Sequence, residues 1–420
     1  MSKINIFVLA YFMVLTAVVL LPAQGYDATG MALGGAYAAR AIGVDAIVWN
    51  PAQLALPRSK KIELNLIGLN VNIGTSSLSI NNYERYFTES GNGGEWSDAD
   101  IDEILNLIPE DGFDIAGEVN ANALGLAVAH FGISFQAIGK VLGVIPKESF
   151  ELFLKGNLKD NYIFNNLNGN GFSALKVSIA GSQPIKFEKY FDSFAVGMNF
   201  NYYQGFALFE TIRSEGFFYT GLDYIHTKMN LIGRKAEGGS GYSIDLGAAG
   251  NINEKWSVSL AMKNVIGGIN WSVNTEEMHY SVNLDSVQYV EGDDAKTESL
   301  DTTYAIGAFR TGLPMVWHLG LAYQWTPNLL LLLDLEQATE NKMGFSDQGM
   351  LAIGAEYSVL SFLPLRGGIG FGGKWGYQFG LGLGLHFGVF HFDIAYSMHR
   401  ALWPTVSRGI STALNLKFLI

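Results

Sequence analysis

The 420-residue chain contains no cysteine. That excludes disulfides, thiolate metal sites and cysteine nucleophiles. Charge is scarce too: 16% of residues are Asp, Glu, Lys or Arg, against about 25% in an average soluble domain. Cations are the scarcer sign, with 27 Lys and Arg against 39 Asp and Glu and a formal net charge of −12. A nucleic-acid partner is not expected, because it would need a basic face. Beyond the N-terminus no run reaches the roughly 18 apolar residues of a spanning helix; Leu329–Leu333 meets Asp334 after five. Yet 49% of the chain is hydrophobic. So much apolar surface must enter an unusual core or lipid. In lipid, a closed barrel is the only sheet that satisfies its own backbone.

The N-terminus is read as a secretory signal peptide over residues 1–25. Lys3 is the only charge before Tyr26, Ile4–Leu21 is almost wholly apolar, and Pro22-Ala23-Gln24-Gly25 supplies small residues for cleavage. A retained membrane helix is the alternative.

The rest alternates with period two. Tyr377, Phe379, Leu381, Leu383, Leu385 and Phe387 stand between Gly376, Gln378, Gly380, Gly382, Gly384 and His386. Trp317–Trp325, Phe390–Met398 and Leu414–Ile420 repeat the pattern. Period two places alternate side chains on opposite faces of a strand. One face here is large and aromatic, the other small or polar, as a transmembrane β-barrel requires. Fifteen segments qualify: 61–73, 119–131, 133–145, 172–183, 193–209, 217–232, 241–250, 256–264, 315–325, 328–338, 349–358, 364–372, 375–386, 389–398 and 408–419. Residues 270–310 add one or two less regular ones. Bacterial single-chain barrels use even numbers, so the expectation is an all-β antiparallel barrel of 14 strands, with 16 next. Ser97–Ile108 reads as a capped helix in the long connection 74–118. Segments 146–171 and 283–302 are the other long connections.

Little in the chain suggests catalysis. Gly368-Ile369-Gly370-Phe371-Gly372-Gly373 fits a dinucleotide pattern, but the next stretch is another strand, so these are barrel glycines. The seven histidines form no metal motif, and Ser240 lacks a complete nucleophile elbow. No enzyme activity, cofactor or metal is expected. His318, His386 and His391 fall on the polar phase and should face the lumen. Trp256, Trp317, Trp325, Trp375 and Trp403 lie near strand ends and are read as interfacial girdles. Phe206, Phe209, Phe217 and Phe218 break the alternation and are candidates for ligand contact, with a girdle as the alternative account. The lumen-facing set, including Gly380, Gly382, Gly384, Gly320, Ala322, Ala395 and Ala413, is small and lacks the charge rings of an ion-selective porin. Its cheapest occupant is the chain's own Gly/Ala-rich stretch from Tyr26 to Leu56.

That stretch carries a family resemblance. Met31-Ala32-Leu33-Gly34-Gly35-Ala36-Tyr37, Asp45, Trp49-Asn50-Pro51-Ala52 and Leu54-Ala55 resemble the opening of FadL-type outer-membrane barrels, especially the branch with PorV-type proteins. Leu260–Gly267, Leu319–Tyr323 and Leu381–Ser397 echo the same branch. The resemblance implies a 14-stranded barrel plugged by an N-terminal hatch, with hydrophobic substrates leaving sideways through the wall. It sets the expected layout: residues 1–25 signal peptide, 26–56 hatch, 57–420 barrel in the bacterial outer membrane. Gly34, Gly35, Asn50, Pro51 and Ala52 are the expected hatch residues. The expected partners are the lipid bilayer and hydrophobic, fatty-acid-like small molecules. The alternatives are a protein-binding secretion or assembly component of the PorV type and a purely structural barrel.

Overall fold

The computed structural model describes residues 27–58, 62–89, 91, 95–157, 159, 161–221, 224–288 and 297–420. The expected signal peptide lies outside them. Two short helices, α1 (Ala28–Ala32) and α2 (Gly43–Trp49), and a 3-10 turn (Pro51–Ala55) come first. Then follow β1 (Ile62–Thr75), α3 (Ile80–Phe87), α4 (Asp98–Leu107), β2 (Phe113–Val128), β3 (Phe131–Ile145), α5 (Lys147–Lys155), β4 (Asn161–Ile163) and β5 (Asn168–Ile185). Next are β6 (Ser193–Thr220), β7 (Tyr224–Ala236), β8 (Gly238–Asn251), β9 (Trp256–Val273), β10 (Glu276–Gln288), β11 (Thr297–Ala305) and β12 (Phe309–Gly312). The chain ends with β13 (Val316–Thr326), β14 (Leu329–Ala338), β15 (Met350–Leu360), β16 (Leu363–Gly372), β17 (Tyr377–Phe387), β18 (Phe390–His399) and β19 (Gly409–Leu419).

The wall runs β1–β2–β3–β5–β6–β8–β9–β13 and onward in order to β19, which pairs back with β1 through Leu64↔Phe418 and Leu69↔Leu414. That is a closed antiparallel barrel of 14 strands. Closure removes both sheet edges, so no ladder hydrogen bond faces lipid. The architecture is that of a bacterial outer-membrane protein.

The alternating faces separate as the dyad demands. Leu381, Leu383, Ile394, Ile353 and Leu319 point outward and are exposed, while Gly380, Ala395, Ala352 and His318 are turned in. Short turns mark one rim, as between Val128 and Phe131 or Thr326 and Leu329. That rim carries aromatic contacts: Trp256 with Tyr323 at 4.3 Å, Tyr323 edge-on to Trp325 at 6.1 Å, and Phe362 stacked with Phe387 at 5.2 Å. Trp375 departs from the girdle expectation. It is buried against His399 at 4.5 Å, because the turn after β16 folds inward.

The fifteenth sequence segment, 217–232, is the miscounted one. It joins the end of β6 to the start of β7. β6 runs on past the barrel, and its upper half pairs with β7, which pairs with β10, which pairs with β11. β4 pairs with the far end of β6 on the other side. These strands form an extension on the long-loop rim and share the wall's period, so periodicity could not distinguish them. α4 begins where the capping residues place it. The Ser97 side chain accepts from Asp100 N while the Asp100 side chain accepts from Ser97 N, a capping box.

Leu381 lies mid-strand on the lipid face and is 59% exposed. Leu381→Arg should destabilise the barrel by about 2–4 kcal/mol in refolding titrations into lipid vesicles. An equal effect in a detergent that solvates the arginine would show that lipid is not the cause.

Candidate functional site: the filled lumen

Residues 27–58 lie within the barrel, and most are buried. The wall's small residues are what admit them. A Cβ on Gly380 would fall 2.1 Å from Met31 O, on Gly368 2.1 Å from Leu33 C, on Gly197 2.4 Å from Ala52 N, and on Gly320 2.9 Å from Ala39 N. Real Cβ atoms essentially never come that close at any of these four sites, so the segment's backbone occupies the side-chain space of the wall. Gly34 has φ +67° and meets Ile369 N, a backbone turn that an L side chain could not make there. Gly35 follows with φ +101°.

The segment touches every wall strand. α1 packs on β16 to β19, Leu33 on Gly354 of β15, and Tyr37–Ala39 on Asp334 and Gly320 of β14 and β13. Val44 meets Glu63 of β1 and Gly125 of β2, and Ile47 meets Gly132 of β3. Asn50 reaches β8 and β9, and Ala52 meets Ser182 of β5 and Gly197 of β6.

Polar wall residues satisfy backbone groups of the segment's turns. Asp334 accepts from Tyr37 N at 2.9 Å and Ala38 N at 2.8 Å. Gln378 donates to Gly34 O at 3.0 Å. Asn50 caps both ways: its backbone N donates to Ala46 O of α2, and its Oδ1 accepts from Ala52 N at 2.9 Å. Its Nδ2 donates to Ala248 O, Leu260 O and Ser259 Oγ at 3.0, 3.1 and 2.8 Å. Pro51 opens the 3-10 turn that follows, where its missing N–H costs nothing.

The lumen is not the uncharged, roomy channel that the small residues suggest. The same phase carries buried charges, most in pairs. Lys417 bridges Asp45 of α2 and lies 4.0 Å from Glu63. Arg366 holds Asp393 at 2.5 Å and Glu356 at 2.6 Å. Glu118 lies 3.5 Å from Lys140 and also bridges Lys374. His318 stands 3.2 Å from Asp334, and His386 stacks on His391 at 4.0 Å. The space is filled instead by chain.

One lumen charge is unlike the others. Lys176 of β5 is 3% exposed and has neither a hydrogen bond nor an ion pair among the described residues. Its charged neighbours are Asp245 and Lys263. Beside it, Gln136 Oε1 and Ser134 Oγ also lack partners. Toward the long-loop rim lies an apolar cluster that includes Ile138, Phe172, Trp271, Leu313 and Phe345. Met343 (φ +52°) and Phe345 reach this cluster from the β14–β15 connection, and Gly344 N donates to Asn170 Oδ1 at 2.7 Å. Lys176 thus stands at the foot of a packed apolar cluster.

The ladder between β1 and β2 is interrupted beside α2. In β1 the buried phase passes from Glu63 and Asn65 to Gly68, Asn70 and Asn72, leaving Leu66 and Ile67 both outward. In β2 it passes from Asn120 and Asn122 to Gly125 and Ala127, leaving Ala123 and Leu124 both outward. The two bulges face each other, and the ladder skips from Asn65↔Gly125 to Gly68↔Asn122. Inside the gap, Asn65 Oδ1 and Asn122 Oδ1 have no partner.

The four phenylalanines singled out in the sequence do not converge. Phe206 sits at a bulge of β6, 48% exposed on the outer face. Phe209 lies outward near Gly233. Phe217 and Phe218 lie in the extension on opposite faces, against His226 and Tyr162 respectively. Sequence reasoning missed Lys176, Asp334 and the paired bulges. Lys176 could have been flagged as a cation on the inward phase of an apolar strand.

Asn50→Ala should cost about 1–3 kcal/mol, since it strands two wall carbonyls and a turn N–H. Hydrogen exchange should then rise in residues 43–55 and stay unchanged in the wall. A uniform rise would mean that Asn50 holds the barrel rather than the segment.

Residues 51–231 and 225–396 match a family model described as "Family of unknown function (DUF5723)". A search of curated proteins finds no match. Solved structures are similar in fold. The toluene transporter TbuX of Ralstonia pickettii superposes with TM-score 0.54 at 13% identity, over 94% of this chain and 99% of that one. A Pseudomonas aeruginosa FadL homologue gives 0.53 at 12% identity, over 95% and 99%. The P. putida toluene transporter TodX gives 0.52 at 13%, over 94% and 99%. At such identities the likeness is one of fold, that of FadL-type barrels. The chain belongs to the DUF5723 family.

Proposed function

We propose that this protein passes hydrophobic small molecules through the outer membrane and that its substrates are amphiphiles with an anionic head, of the fatty-acid kind. Lys176 carries the reading. Its ammonium has no hydrogen bond or ion pair among the described residues, and a ligand carboxylate beside it supplies one. The apolar cluster above it suits a hydrocarbon tail. A neutral hydrocarbon would leave Lys176 unpaired. The FadL-type fold supports passage through the barrel. The secretion role draws no support from these neighbours.

Residues 28–56 act as a hatch. Gly34, Gly35, Asn50, Pro51 and Ala52 fit it to the wall, and the lumen cannot conduct past it while it is seated. The interruption between β1 and β2 is the sideways exit. There the ladder is already broken, and Leu66, Ile67, Ala123 and Leu124 give a leaving tail an apolar surface.

In native mass spectrometry, protein incubated with palmitate should retain the acid. Lys176→Met should weaken palmitate at least about tenfold, roughly one charged hydrogen bond, and leave hexadecane unaffected. Equal loss of both ligands, or no bound acid, rejects the headgroup assignment. Deleting residues 28–56 should raise conductance in planar bilayers, and unchanged conductance would reject the hatch. The chain has no cysteine of its own, so an Ile67→Cys/Ala123→Cys pair can be oxidised without side reactions. The cross-linked protein should bind palmitate but not deliver it to vesicle lipid. Undiminished delivery would place the exit elsewhere.

A further inference from the structure

The extension beyond the long-loop rim holds a groove of about 650 Å³ that passage through the lumen does not use. That volume lies within the range of small-molecule sites. The groove lies on one face of β6, β7 and β4, above the membrane. Phe217 and Tyr219 project into it from alternate positions of β6. Arg213 and Glu215 continue the same row as a 2.9 Å ion pair, each side chain 54% exposed. Lys228 lies opposite Phe217, and Asn230 opposite Glu215. Lys228 and Asn230 form no hydrogen bond or ion pair among the described residues.

We infer that this groove binds a neutral saccharide chain at the cell surface, through ring stacking on Phe217 and Tyr219 and hydroxyl contacts with Arg213, Glu215, Lys228 and Asn230.

The lining chooses among ligand classes. A hydrocarbon would desolvate six polar side chains without return. A polyanion would meet Glu215, and a metal ion would find only one carboxylate. A sugar ring has an apolar face for an aromatic ring and hydroxyls that both donate and accept. Planar carboxylate, amide and guanidinium groups pair with adjacent hydroxyls in both senses. Two rings two residues apart on one strand are separated by about 6.6–6.8 Å, so the row can engage more than one sugar unit of a chain. The extended reach of β6 presents the row to polysaccharide outside the bilayer. This site is separate from the lumen, and its failure would leave the passage reading untouched.

The test uses the full-length protein in nanodiscs made without lipopolysaccharide. It is applied to an array of neutral hexasaccharides (α-1,4-glucan, β-1,4-glucan, β-1,4-linked N-acetylglucosamine, α-mannan). It is also titrated with delipidated polysaccharide from outer-membrane lipopolysaccharide, freed of its acidic, phosphorylated core so that the chain is neutral. Binding on the array points to an environmental glycan. Binding only to the delipidated polysaccharide points to the cell's own surface. In either case Phe217→Ala and Asn230→Ala should each weaken binding about tenfold, with palmitate binding intact. Should Phe217→Ala fail to fold, Asn230→Ala and Lys228→Met carry the test alone. No binding above empty nanodiscs in either arm, or affinity unchanged by the folded variants, overturns the proposal.

Discussion

The structure depends on backbone lying where side chains would otherwise be. Residues 28–56 run around the inside of the barrel, and at Gly197, Gly320, Gly368 and Gly380 the wall has no Cβ to oppose them. A methyl group at these positions would collide with the inner segment's main chain. The same glycines weaken the strands that carry them, because glycine in a strand interior adds entropy cost and no packing. The barrel tolerates this because closure already pairs every wall strand on both sides.

Filling the lumen with chain brings an electrostatic constraint. Water is displaced from the inner face, so each charge there needs a partner. Lys417 with Asp45, Arg366 with Asp393 and Glu356, and Lys140 and Lys374 with Glu118 meet that need. Asp45 also ties the inner segment to β19, next to the place where β1 and β2 lose their pairing. The lock on the segment and the weak point of the wall are therefore neighbours. Lys176 lacks such a pair among the described residues, and it stands where polar lumen gives way to the apolar cluster.

The extension has a different logic. β6 continues past the barrel because its neighbours change: β5 and β8 flank its lower half, β4 and β7 its upper half. Its side chains there meet water, not lipid, and alternation of size gives way to aromatic and polar residues such as Phe217, Tyr219 and Arg213. Sequence periodicity records only that a strand continues, which is why 217–232 looked like one more wall strand.

Several features followed from the sequence alone. Period two with a large aromatic phase required strands with one face in lipid, and the absence of a spanning helix left closure as the way to satisfy the backbone. The small phase implied an internal occupant, and Ser97 with Asp100 marked the start of α4. Tertiary structure decided the rest. Whether an inward residue is a paired charge or not depends on what arrives from distant strands: Asp334 is nearly 300 residues from the backbone amides it caps, and Lys176 finds no hydrogen bond or ion pair among the described residues. The opposed bulges at Leu66–Ile67 and Ala123–Leu124 were invisible because each strand read singly still alternates on both sides of its bulge. Local pattern fixes which face a residue takes, whereas only closure of the barrel fixes what it faces.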